Sequence, residues 1–459
     1  MATDLTIAAI LSNYSEVLKE IYLPVIQDQI HQSNILTTFI DRNSTDVSGS
    51  VAHIECRYGR STGTGARADA ADLPAAGYQK FKVMDVGMKR IYGTVAFSGP
   101  TIASTRDDRG AYARVIDTEM TGIADDLRKE VNRMLWGCGY GVLARWRSGT
   151  GGTQTWQKAY RANTVGSDGF GSTFGAKYVA ENNSAVPVVF TAAGSVVTVL
   201  TIDDTDMAIS AIDDSVATYD TVTGTDPVVT EAAGTFFVRP ASGLYSTAAS
   251  PAGHFRLEPM GLRGIVTDSD LDEIICYDGT NTGFTVNDPF QGLAVATYPW
   301  WRSKVYKHPS GRYAGQRALT FQDMDKAFDY VEKMAGKNYG PDIILTTQAI
   351  RREYADLCRV DRRTVNVMSL DGGYTGLEYN GIPLVADPDD AIDGEMYFLT
   401  LKDFSIYEMS DYQWMDKDGS VLSRIANKDA YEAVLFRYLE MGCRRRNSQA
   451  VIADLAYTL

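Results

Sequence analysis

With 459 residues, 44% hydrophobic and 22% charged, the chain is long enough to bury a large core over two or three domains. No run nears the roughly 18 apolar residues of a membrane helix, and Asp4 and Glu16 stand where a signal peptide would be basic and then apolar, so a soluble protein made inside the cell, with no membrane partner, is expected. A net charge of -14 opposes tight nonspecific binding to nucleic acid, which relies on Lys and Arg neutralising phosphates.

Near the N-terminus, Leu18, Ile21, Tyr22, Val25, Ile26 and Ile30 recur at three-and-four spacing and predict an amphipathic helix over 14–32, bent at Pro24. It precedes any domain that could bury its face. Docking on later parts of the same chain and docking on a neighbouring copy both remain open.

Residues 48–56 read as a strand and 79–97 as a longer returning strand rich in Val, Ile, Phe and Tyr. The tip between them, 57–77, carries Gly59, Gly63, Gly65 and Gly77 and few residues to bury. A two-stranded arm of this length needs a surface to lie on, since an isolated hairpin is marginal in water.

Asp107 and Asp108 supply cap chemistry for a long helix ending at Gly137. Tyr112, Ile116, Met120, Ile123, Leu127, Val131 and Met134 form its apolar stripe, while Arg114, Asp117, Asp125, Arg128, Lys129 and Arg133 are expected off it. From Gly139 to about Gly253 the chain turns rich in Gly, Thr, Val, Ala and Asp. Its short apolar runs at 186–190, 196–202, 228–229 and 236–238 predict a small all-β module inserted after the helix.

Thr320 with Asp323 reads as a capping box that opens a helix ending at Gly336. A buried strand at 342–345 follows, then a helix capped by Thr347, then Asn380-Gly381 as a type I′ turn before a strand at 382–385. Further strands are predicted at 396–399, 404–408, 421–425 and 431–439. The fold class is α+β, with a discontinuous domain.

Reactive chemistry finds little footing. Cys56, Cys138, Cys276, Cys358 and Cys443 are odd in number, with no C-x-x-C pair, and read as free thiols. His31, His53, His254 and His308 lie beyond helical reach of one another. No G-x-S-x-G elbow occurs, and Gly336-Lys337 lacks the rest of a phosphate loop. Asp268, Asp270 and Asp272 begin like a calcium loop, but Glu273 replaces the turn glycine and Gly279 the bidentate Glu. Asp416-Lys417-Asp418-Gly419 reads as a hairpin turn. No catalytic, cofactor-binding or metal residue is assigned, and no enzyme activity is expected.

Trp300-Trp301 reads as an aromatic knot at a domain junction, or else an interface anchor. Arg444, Arg445 and Arg446 form the sharpest basic cluster; ion pairing between subunits or within a domain suits it better than nucleic acid.

The order of helical arm, glycine-tipped hairpin, long helix, α/β segment and terminal strands resembles the major capsid proteins of tailed bacteriophages. That fold is shared by encapsulin shells and the floor of herpesvirus capsids. GARADAADLPAAG, IYGTVAFSGP, YPWW, DIILTTQAIRREYADL, LEYNGIPLVAD, DGSVLSR, DAYEAVLF and RRRNSQAVIADL carry the likeness, in order, over most of the chain except the insert.

The resemblance implies an N-terminal arm at 1–47, an extended loop at 48–98 that lies over a neighbour, and the spine helix of a peripheral domain at 99–137. The inserted β-rich module would take 138–254, the peripheral domain would resume at 255–319 and 400–459, and an axial domain would fill 320–399. It implies hexamers and pentamers of the chain itself, closing into an icosahedral virion head assembled in the bacterial cytoplasm. Portal, scaffolding and decoration proteins and weakly held double-stranded DNA would be its partners.

Arg57, Arg60, Arg67, Leu73, Pro74, Tyr78, Lys80, Lys82, Arg444, Arg445 and Arg446 are the subunit-interface candidates. Some members of the family crosslink through a lysine on the loop, where Lys80 and Lys82 stand, but no catalytic carboxylate is assigned here. The helix begins almost at Met1, so a separate scaffolding protein, or none, is expected. Rival readings are an encapsulin-like compartment around protein cargo, against which the insert counts, a tail-tube or sheath subunit, and an enzyme with an unusual carboxylate site.

Overall fold

In the computed structural model the described residues are 35–69, 72–100, 109–139, 257–268, 289–309, 317–335, 340–360, 375–387, 394–416 and 421–456, with individual strands between 142 and 238 and at 367–369. The predicted N-terminal helix, the caps Asp107 and Asp108, and the 416–419 turn fall wholly or partly outside them.

Helix α1 (Ile35–Phe39) leads into β1 (Arg42–Asn43), β2 (Val47–Ser48) and the arm strands β3 (Val51–Gly59) and β4 (Lys80–Gly87). After β5 (Lys89–Ser98) comes the 28-residue helix α2 (Arg109–Trp136). The following segment supplies β6 (Val142–Thr150), β7 (Thr153–Gln157), β8 (Val186–Phe190), β9 (Val197–Val199), β10 (Ala208–Asp213), β11 (Tyr219–Thr225) and β12 (Phe236–Val238). Then come the short helix α3 (Leu262–Ile265), β13 (Lys304–Tyr306), α4 (Phe321–Ala335), β14 (Ile343–Thr346) and α5 (Gln348–Val360). Strands β15 (Val367–Ser369), β16 (Thr375–Tyr379), β17 (Ile382–Ala386), β18 (Met396–Leu399), β19 (Phe404–Trp414), β20 (Ser423–Arg424), β21 (Ala430–Cys443) and β22 (Ala450–Ile452) complete the chain. The fold is α+β.

A mixed seven-stranded sheet, β13-β22-β18-β14-β17-β16-β15, divides two cores. Side chains alternate across a strand, so Ile344, Phe398, Ala450 and Ile452 face a core with Met324, Ala327 and Val331 of α4 and Ile350 and Tyr354 of α5. Ile343, Leu345, Tyr397, Leu399 and Val451 face the other core, with Val131, Met134 and Trp136 of α2. A sheet covered on both faces needs strands that are apolar throughout, which is why β14 and β18 are buried at every position. α4 presents Met324, Ala327, Val331 and Ala335 at helical spacing to this sheet.

The second sheet centres on β21, which pairs with β19, β20 and β5, while β1 lies parallel to β19. α2 packs on β5: a Cβ at Gly93 would stand 3.1 Å from Ile123, so glycine lets helix and strand approach. β2, β3 and β4 form a third sheet. β6 to β12 form an antiparallel sheet of their own, ordered β10-β11-β7-β6-β12-β8-β9.

The local signals in the α/β segment match their structures. Asn380 and Gly381 take φ of 50° and 78° between β16 and β17, as a type I′ turn requires. Thr320 Oγ1 accepts from Asp323 N–H at 3.2 Å and donates to its carboxylate at 2.8 Å, a variant of the predicted box. Ile350 N–H donates to Thr347 Oγ1 at 3.5 Å.

Other expectations need correction. The returning strand over 79–97 is two strands, because the chain leaves β4 in one sheet and enters β5 in another at Met88, whose N–H donates to Ser50 O at 3.0 Å. Arg133, expected off the apolar stripe, is buried between Glu130 and Glu258. β13 and β22, expected with peripheral-domain segments, join the sheet of the 320–399 segment. β19 runs on to Trp414, and the strand expected at 421–425 shrinks to β20.

Candidate assembly surface

The β3–β4 arm has two unlike faces. In cross-strand register, Ile54 opposes Met84 and Ala52 opposes Val86, and all four are buried against the body. The other face pairs His53 with Asp85, Glu55 with Val83 and Arg57 with Phe81, and stays exposed. His53 Nδ1 lies 2.7 Å from Asp85 Oδ1. Phe81 is 64% and Val83 48% exposed. Both side chains line a shallow concavity with Gln291 and Gly292 and keep about half or more of their surface in solvent, so the face has apolar surface to give to a partner.

Past β3 and β4 the two limbs meet at a glycine pinch. A Cβ at Gly77 would stand 2.6 Å from Gly63 N and one at Gly63 2.8 Å from Gly77 N. Beyond the pinch, Arg67 Nε donates to Asp72 O at 3.0 Å and its Nη1 to Ala66 O at 3.2 Å. The described part of the tip is thereby braced by its own backbone, with Leu73 87% and Tyr78 85% exposed. Pro74 is half-buried; Arg57, Arg60, Arg67 and Lys80 are exposed.

An aromatic group fixes the arm's inward face. Tyr58 stacks on Trp300 with centroids 5.1 Å apart, and Tyr298 meets both rings edge-on. Lys82 places its ammonium 5.6 Å from the Tyr298 centroid, an attractive placement over a ring face. Trp301 is buried on Phe290 and donates its indole N–H to Phe290 O at 3.2 Å. The aromatic knot therefore joins the arm to the body.

The three consecutive arginines go three ways. Arg444, half-exposed, lies 3.8 Å from Asp46. Arg445 donates to Met334 O at 2.8 Å and Ala335 O at 3.3 Å, the carbonyls left unpaired at the end of α4. Arg446, expected at a subunit interface, is 0% exposed within its own chain. It donates to Ile265 O at 2.6 Å and Trp301 O at 3.3 Å, so it joins segments of one molecule.

Buried carboxylates escaped the sequence reading. Glu440 on β21 accepts from Met260 N–H at 2.5 Å and Met441 N–H at 3.1 Å. Burial outweighs these bonds and the nearby Lys89, and pushes its carboxyl up to about 7. Asp403 is also raised by burial, opposed by the Ser448 hydroxyl 2.5 Å away. Leu439, Glu440 and Met441 are all buried, so the alternation that would have marked Glu440 as inward is absent.

Among the described residues no three His, Cys, Asp or Glu side chains group as a metal site, and Cys56, Cys358 and Cys443 are free thiols. No described helix is long and apolar enough to cross a membrane.

No family model and no curated protein sequence matches the chain. Among solved structures, a chain of the cyanophage A-1(L) capsid asymmetric unit superposes with a TM-score of 0.50 and 13% identity, over 96% of this chain and 98% of that one. The fold is that of a phage capsid subunit. Two further structures superpose at lower similarity: the capsid of a native GTA particle (TM-score 0.46, 9% identity, 98% of this chain and 99% of that one) and the SrpI encapsulin of Synechococcus elongatus (TM-score 0.45, 8% identity, 97% of each).

Proposed function

We propose that the chain is the major shell-forming subunit of a tailed-phage capsid, a structural protein that assembles through hexamers and pentamers into an icosahedral head around double-stranded DNA. The carrying observation is the arm: on a capsid fold it holds Leu73, Tyr78, Phe81 and Val83 in solvent, apolar surface that a lone soluble subunit has no use for.

Burial of apolar surface contributes about 25 cal/mol per Å². Repeated interfaces of roughly 1,200 to 2,000 Å² each then close a shell even when single contacts are weak. Arg57, Arg60, Arg67 and Lys80 would make the polar rim of that contact on a chain of net charge -14. The same acidity keeps packaged DNA loosely held. A portal, and a scaffolding or decoration protein, would complete the particle, which forms in the host cytoplasm.

Negative-stain electron microscopy with light scattering on purified protein tests the reading. Closed shells, polyheads, pentamers or hexamers are expected. A monomer or dimer that persists with a scaffolding protein present overturns it. Nucleic acid inside natively produced particles separates a phage head from a protein-cargo compartment.

A further inference from the structure

The segment bearing β6 to β12 leaves and re-enters the body at one point. On the outgoing side Gly139 has φ of 79°, and a Cβ there would stand 3.5 Å from Met260 Cα. On the returning side a Cβ at Gly261 would stand 2.5 Å from Gly137 O and 2.6 Å from Leu135 O, closer than any side chain tolerates. Gly264 N–H donates to Gly137 O at 3.3 Å. The two limbs form a neck with backbone against backbone.

Residues of the body anchor each limb. Trp136, fully buried, donates its indole N–H to Asp387 at 3.2 Å. Glu258 pairs with Arg133 of α2, and Met260 N–H is held by Glu440 of β21. Leu262, Ile265 and Val266 enter the same core as Met134, Leu135 and Trp136. Beyond the neck, among the described strands, β6 to β12 pair with one another and with no strand of the body.

From this geometry we infer that residues 140–256 are a separable appendage: the body folds without them, and the neck accepts another folded domain in their place. A closed neck means that removing the segment leaves no gap wider than a short linker spans, and the anchors stay in place. That the trimmed body also assembles rests on the shell-subunit reading above; that it folds does not.

The test compares the full chain with two variants: 140–256 replaced by a four-residue Gly-Ser linker, and the same span replaced by a small stable domain whose termini adjoin. Thermal unfolding, protease protection of 257–459 and electron microscopy are read on all three. The body's unfolding midpoint is expected within a few degrees of the full chain's in at least one variant, with particles of the same kind. Loss of the cooperative transition and of protease protection in both variants overturns the inference. If the full chain forms no particles, the shell reading fails, and the folding comparison still decides whether the appendage is separable.

Discussion

Tyr58, on the arm, lies flat against Trp300, in the body, with ring centroids 5.1 Å apart and planes 6° from parallel. The stack fixes where the arm leaves the body, and so where its exposed Phe81 and Val83 are presented. Aromatic pairs contribute about 0.5–1.5 kcal/mol beyond area burial. A Tyr58→Ala, Trp300→Ala double-mutant cycle should give a coupling in the lower part of that range, since Tyr58 is partly exposed. Amides of β4 should exchange faster in either single variant; unchanged exchange would mean the stack does not hold the arm.

Leu73 is the sharpest test of the tip. It is almost fully exposed, so Leu73→Asp should shift the subunit's stability by no more than about 0.5 kcal/mol. Assembly should fail or slow strongly, because a charge would be carried into an apolar contact. Denaturant unfolding and light scattering separate the two effects. Normal assembly of the variant removes the tip from the interface.

The arginine triplet should divide by destination. Arg446→Ala removes a fully buried guanidinium and its bonds to the Trp301 carbonyl and to the Ile265 carbonyl, which keeps Thr267 N–H and the Ser303 hydroxyl, and should cost roughly 2–4 kcal/mol. Arg444→Ala loses one exposed pair with Asp46 and should cost less than about 1 kcal/mol. Equal effects in a denaturant titration would refute the structural division.

Some features were legible because their cause is local. Asn380-Gly381 specifies its turn through two positive φ angles, and Thr320 and Thr347 cap helices within their own first turns. The arm and the apolar β14 were legible from composition and periodicity. The break at Met88 was not, since β4 and β5 form one β-rich run and only their distant partners, β3 and β21, separate them. The burial of Arg133 depends on Glu258, and the fate of each arginine at 444–446 on Asp46, α4 and Ile265. These contacts span long stretches of chain and leave no short-range pattern.

Glu440 predicts a pH dependence with a definite sign. Its folded-state pKa of about 7 lies above the ordinary 4.5, so between those values the unfolded chain has released a proton that the folded chain still holds. Its contribution is fully present below about pH 4.5 and is lost as pH rises through about 7, up to roughly 3 kcal/mol. Glu440→Gln should flatten that part of the profile in urea unfolding from pH 4.5 to 8. An identical profile in the variant would assign the dependence elsewhere.

On the proposed reading, this chain builds a shell by laying its arm on another copy of itself. Cryo-electron microscopy of particles formed by the full chain, with a scaffolding protein supplied if none form alone, tests it most directly. A closed icosahedral shell in which Leu73, Tyr78, Phe81 and Val83 are buried against a neighbouring copy is expected. An assembly whose arms project into solvent, or a protein that stays monomeric under every condition tried, would contradict it.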